Sequence, residues 1–193
     1  MKCDILIAGV GGQGTVLASR LLAAAAIKAG LFARTSETIG MAQRGGCVVS
    51  HVRIDSEDAS PIIPLKSADI LIGFEPAEAA RNIGRLSGTG RCVINTRAIK
   101  PVTSSLDSVS YDTEPIFDYI KKSSHESIFV DGYELSMNAG SVKTLNVVLL
   151  GIAASAGYLP FGREIIESVI LENVSQKYIE LNKKAFNIGF NYK

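Results

Sequence analysis

What this chain has little of narrows its function first. Its 193 residues hold only three cysteines, Cys3, Cys47 and Cys92, widely separated and each set in an apolar, strand-like run. Metal and cluster sites draw on closely grouped thiolates, so this spacing gives no metal site, and the three read as core thiols of a reducing cytoplasm. Histidine occurs twice. His51 lies on a strand with no partner motif and reads as a core or interface imidazole; His125, in "KKSSHES", reads as a loop residue. Net charge is almost absent, with 20 Lys plus Arg against 19 Asp plus Glu, so no overall field favours nucleic acid or an anionic membrane. Long hydrophobic runs are missing too. The start "ILIAGV" is short and runs into glycines, unlike a signal peptide, and "LNVVLLGIAASAG" falls short of the ~20 residues of a spanning helix. The expectation is a cytoplasmic chain without nucleic-acid or membrane partners. Linkers, repeats and low-complexity segments are absent, and the length favours one domain over residues 1–193.

What is present is glycine, in two clusters. Residues 3–8, "CDILIA", predict a buried strand, followed by "GVGGQG" and a helix over 14–29 that Gly30 should stop. A strand over 31–36 completes a β–loop–α–β unit. The next strand, 47–54, follows after about ten residues with no room for a crossover helix, which predicts an antiparallel neighbour and hence a mixed sheet. Further strands are predicted at 68–74, 91–96, 108–112 and 127–131. Helices are predicted at 76–86, started by Pro76, and at 115–122, 132–138, 143–157, 162–172 and 174–188. Strands alternating with helices imply an α/β fold: a three-layer, Rossmann-like domain with a mostly parallel, mixed sheet and a helical C-terminal segment.

Gly9-x-Gly11-x-x-Gly14 between a strand and a helix is the setting of a dinucleotide fingerprint, where glycines admit a phosphate to the backbone at a helix start. Glu37, at the end of the second strand, occupies the place of a ribose-binding acid. The competing reading is packing: Gly11 and Gly12 let the helix sit close to the sheet, and Gln13 caps it. The second cluster, "GMAQRGG", should emerge at the same carboxyl edge of the sheet, where open α/β folds bind ligands. Gly11, Gly12, Gln13 and Gly14 with Arg44, Gly45 and Gly46 would then form one donor-rich crevice suited to an anion or a carbonyl group. The bland alternatives are a surface salt bridge for Arg44 and a bulge for Gly45 and Gly46. Asn95, Glu75 and Asp131 also close strands at this edge; a turn cap and helix-start carboxylates are the simpler roles.

The segments "AGVGGQGTVLASRLL", "SETIGMAQRGGCVVSHVRI", "ADILIGFEPAEAAR", "CVINT" and "LNVVLLGIAA" together resemble the gamma-type chain of the 2-oxoacid:ferredoxin oxidoreductases, nearest to their indolepyruvate branch. The resemblance runs from Ile5 to about Gly189. It implies a subunit with no catalytic residue and no cofactor of its own. A larger partner chain would carry thiamine diphosphate, Mg and the iron–sulfur clusters. Coenzyme A would be co-substrate and ferredoxin the electron acceptor reached through the complex. The helix containing Asn146 would pack near the first glycine loop. The residues agree with that division: three scattered cysteines cannot ligate a cluster, and "VDGYELSMN" lacks the GDG start and length of a Mg–diphosphate motif. Two other readings remain open at this point, a free-standing nucleotide-binding oxidoreductase using Glu37 and a purely structural assembly subunit.

Overall fold

The computed structural model describes residues 2–39, 46–56, 60–100 and 112–192. Strand β1 (Cys3–Val10) is buried along all eight residues, as expected of an apolar run flanked on both sides. It lies in a six-stranded sheet of order β2-β3-β1-β4-β5-β6, with β2 (Ala33–Ile39), β3 (Cys47–Ile54), β4 (Ala68–Gly73), β5 (Leu86–Asn95) and β6 (Glu126–Val130). β3 runs antiparallel to both β1 and β2, while β1, β4, β5 and β6 are mutually parallel. The short link between the second and third strands thus has the consequence read from its length.

One face of the sheet carries α1 (Thr15–Lys28), α5 (Leu145–Ser155), α6 (Arg163–Glu172) and α7 (Ile179–Phe190) over the larger apolar core. The other carries α2 (Pro76–Asn82) and α3 (Glu114–Ser123) over a smaller core with Leu6, Leu71 and Cys92. The result is the expected three layers. α4 (Gly132–Ala139) follows β6 and packs on α5 and α7. Residues 145–153 of α5 are all buried, so its all-round apolar sequence belongs to the core of the fold.

Several boundaries differ from the sequence reading. β1 runs on through Val10, and β2 through Ile39. β5 begins at Leu86, not 91, because the chain takes a 3-10 turn at Ile83–Arg85 and enters the sheet there with a register shift against β4. α5 and α7 are each shorter than expected and are preceded by 3-10 turns, Val142–Thr144 and Gln176–Tyr178. The strand read at 108–112 lies, but for Asp112, outside the described residues. Cys3 and Cys92 are buried, and burial is the main cause that pushes both thiols up to about 12. Cys47 departs from the expectation of a core thiol. It opens β3 opposite Val10 and is exposed, because the apolar run around it begins only at Val48.

The amino end of β1 is closed by a buried ion pair. Arg53 of β3 donates from Nε and Nη2 to the two carboxylate oxygens of Asp4, both at 2.9 Å, and from Nη1 to the Ser60 carbonyl. His51, also on β3 and buried, accepts the Ile63 N–H at Nδ1. Burial, then Arg85 and Arg53, hold its pKa down to about 4, so it is a neutral acceptor at pH 7. Both observations make His51 a core imidazole.

Candidate functional site

The four parallel strands end at one edge, where α1, α2 and α4 begin. Gly9 must be glycine for lack of space, since a Cβ there would lie 2.8 Å from both Gln13 Oε1 and Phe74 Cβ. Gln13 folds back over it. Its Oε1 accepts the Val10 N–H at 2.8 Å and its Nε2 donates to the Phe74 carbonyl at 2.9 Å. Asn95, at the end of β5, donates to the same Phe74 carbonyl at 2.9 Å and accepts the Gly132 N–H at 3.0 Å. One carbonyl beyond β4 therefore ties the loop after β1 to the ends of β5 and β6. Gln13, expected to offer its amide to a ligand, is committed to this brace, and Asn95 joins it as a strut lining the same crevice.

α1 opens at Gly14, whose φ of +85° disfavours any other residue; an added Cβ would also stand 3.2 Å from Asn146 Nδ2. This places α5 against the first glycine loop, as the resemblance implied. α1 has no side-chain cap and no acid in its first turn. Its neighbours do: Glu75 accepts the Glu78 N–H to cap α2, and Asp131 accepts the Glu134 N–H to cap α4. Both carboxylates thus take the helix-start role.

The two glycine clusters meet where they can be described. The Gly11 N–H donates to the Gly46 carbonyl at 2.9 Å. Arg44 and Gly45 lie outside the described residues. Glu37 does not stand at a ribose position: β3 separates β2 from β1 by two strand spacings, roughly 10 Å, and its Oε1 lies 3.1 Å from Ser19 Oγ of α1.

Gly12 and Gln13 form one wall of a cleft of about 250 Å³ whose other walls are Asn95, Arg97, Ile99, Tyr133, Val142 and Leu145. The Arg97 guanidinium sits over the Tyr133 ring, 4.5 Å from its centroid. Neither residue was singled out from the sequence. Both follow a parallel strand by two or three residues, and that position relative to β5 and β6 is the signal that could have found them. Among the described residues no group of three or more His, Cys, Asp or Glu could hold a metal ion. Two deeply buried thiols with raised pKa, far from the exposed Cys47, do not fit a cluster either. No single described helix is long and apolar enough to cross a membrane. Among the described residues the arrangement offers donors, a cation and apolar walls, without an acid–base pair.

Comparison with known proteins gives this cleft a setting. A family model described as pyruvate ferredoxin/flavodoxin oxidoreductase matches residues 4–192. The chain is 40% identical over 192 residues to indolepyruvate oxidoreductase subunit IorB of Archaeoglobus fulgidus, covering 99% of this chain and 95% of that one. It is 38% identical over 191 residues to the subunit of the same name from Thermococcus kodakarensis, covering 96% and 93%. In fold it is similar to the crystal structure of a keto/oxoacid ferredoxin oxidoreductase gamma subunit from Geobacter sulfurreducens. There the TM-score is 0.69 at 24% identity, with 97% and 96% of the two chains covered.

Proposed function

This chain belongs to the pyruvate ferredoxin/flavodoxin oxidoreductase family, and from that premise we propose that it is the small subunit of an indolepyruvate-type 2-oxoacid:ferredoxin oxidoreductase, acting as one domain in the cytoplasm. In that reaction an aryl 2-oxoacid loses carbon dioxide, its acyl group passes to coenzyme A, and two electrons leave singly for ferredoxin. Thiamine diphosphate with Mg, and the iron–sulfur clusters, belong to a larger partner chain and supply decarboxylation and electron transfer. Neither nucleic acid nor a membrane is a partner.

The observation that carries this reading is the 40% identity over 99% of the chain. The geometry supports it, because an edge that offers donors and apolar walls but no acid–base pair suits a chain that completes another chain's site. In this reading Gly11, Gly12, Gln13, Gly14 and Gly46, together with Arg44 and Gly45, form the crevice facing the partner's active site or the path of coenzyme A. Gln13 keeps the loop in shape, the start of α1 has no side-chain cap of its own, and Arg44 supplies a fork of donors.

The test is reconstitution with the larger chain and an assay of 2-oxoacid- and coenzyme A-dependent viologen or ferredoxin reduction. The expected result is activity on aryl 2-oxoacids from the two chains together and none from either alone. Arg44→Ala should cut turnover or assembly at least tenfold, on the order of 1.4 kcal/mol. A reconstituted pair inactive on every 2-oxoacid would overturn the reading.

A further inference from the structure

Arg97 is exposed and makes no ion pair among the described residues, and the same holds for Lys100 and Lys143 on the rim of the same edge. Two nearby carboxylates accept backbone N–H groups: Glu75 those of Glu78 and Ile99, and Asp131 that of Glu134. Glu75 and Asp131 cap helices, which leaves Glu134 as the one exposed acid in residues 95–100 and 131–145. Among the described residues this edge therefore presents three exposed cations without an ion-pair partner, although the chain as a whole is nearly neutral.

The same edge also exposes apolar surface. Tyr133 and Met137 stand four residues apart on α4, hence on one side of it, and are 38% and 53% exposed. Ile99 and Val142, beside the cleft, are 43% and 37% exposed. Tyrosine, arginine and methionine are the types enriched where proteins meet. Stacking on Tyr133 also fixes the Arg97 guanidinium before anything binds, which lowers the entropy cost of using it.

We propose that the Arg97–Tyr133 pair is the anchor by which this chain grips its larger partner, receiving a carboxylate side chain on Arg97 while an adjoining apolar side chain enters the cleft. This rests on the functional reading above and adds the chemistry of the contact. Charge complementarity selects an acidic segment, and a cleft of about 250 Å³ with Ile99, Val142 and Leu145 in its walls selects an apolar neighbour for it. The partner's segment thus carries an acid next to a leucine-like or aromatic residue.

The experiment measures assembly of this full chain with the larger chain, alongside 2-oxoacid-dependent viologen reduction by the mixture. Arg97→Glu and Tyr133→Ala should each weaken assembly at least tenfold, Arg97→Gln less, and the salt dependence of assembly should flatten in both Arg97 variants. Arg91→Glu, at the opposite edge of the sheet, is the matched control and should stay within twofold. Thermal melts of the separate variants confirm folding. Unchanged assembly in Arg97→Glu would overturn the anchor while leaving the functional reading in place. So would intact assembly with a raised KM for the 2-oxoacid or coenzyme A, which would make the cleft a small-anion site. Failure of the wild-type pair to assemble would overturn the functional reading itself, and the anchor with it.

Discussion

Two arginines stacked on tyrosines lie along the line of β5, Arg91 at the amino edge of the sheet and Arg97 at the carboxyl edge, and the two pairs do different work. At the amino end, Arg91 lies 5.2 Å from the centroid of Tyr158, which is only 7% exposed. Burial, with Glu126 close by, pushes the Tyr158 hydroxyl up to about 12. Glu126 is the register partner of Arg91, Asp69 lines the same cleft, and Asp4 is locked to Arg53 nearby. That end has the larger cleft, about 330 Å³ against 250 Å³, yet charges of both signs surround it. At the carboxyl end, Arg97 and Tyr133 are presented outward, and Arg97 makes no ion pair among the described residues. The difference is the acids beside each arginine: Glu126 and Asp69 flank Arg91, whereas Glu134 is the one exposed acid in the described residues around Arg97.

Breaking the amino-end lock should give the largest effect. Asp4→Ala leaves the Arg53 guanidinium buried without its counter-charge, and about 3–5 kcal/mol of stability should be lost, read as a lower urea midpoint at unchanged slope. A loss under about 1 kcal/mol would mean that the pair is not structural.

The His51 prediction concerns pH. The unfolded chain takes up this proton near 6.5 and the folded chain near 4, so between those values the unfolded state binds more protons. The contribution is complete above pH 6.5 and is lost as pH falls toward 4, amounting to roughly 3 kcal/mol at most. Denaturation of the wild type and of His51→Gln at pH 7, 5.5 and 4.5 should show a steeper decline for the wild type.

Next in size is Gln13→Ala, which leaves the Val10 N–H unmatched and should cost about 1–3 kcal/mol in the same denaturation assay. A neutral result would return Gln13 to the role of a free ligand-binding amide. Smallest of all is Arg97→Ala in the isolated chain, expected to shift stability by less than about 0.5 kcal/mol. Its silence there is what sets it apart from Arg53.

Much of the fold was legible because it rests on local pattern. The buried run of β1, the Gly30 stop after α1 and the short second-to-third strand link each point to one outcome. The start of β5 was not legible, since a glycine-rich stretch, "LSGTGR", carries no period-2 signal and joins β4 only at Leu86 and Arg91, across a register shift. At the site, the meeting of the two glycine clusters was readable from their shared edge, and Gly11 does bond Gly46. The commitment of Gln13 was not, because the Phe74 carbonyl it binds lies 61 residues away. Arg97 and Tyr133 are likewise joined only by the sheet: one is an ordinary loop residue and the other an ordinary first-turn helix residue until β5 and β6 are laid side by side.

The most direct test of the contrast between the two ends is hydrogen exchange on this chain, alone and bound to the larger chain. The account predicts added protection over residues 9–15, 95–100 and 131–143, and none over residues 2–3, 89–91 and 157–159. Protection confined to the latter segments, with the carboxyl edge exchanging as it does in the isolated chain, would contradict it.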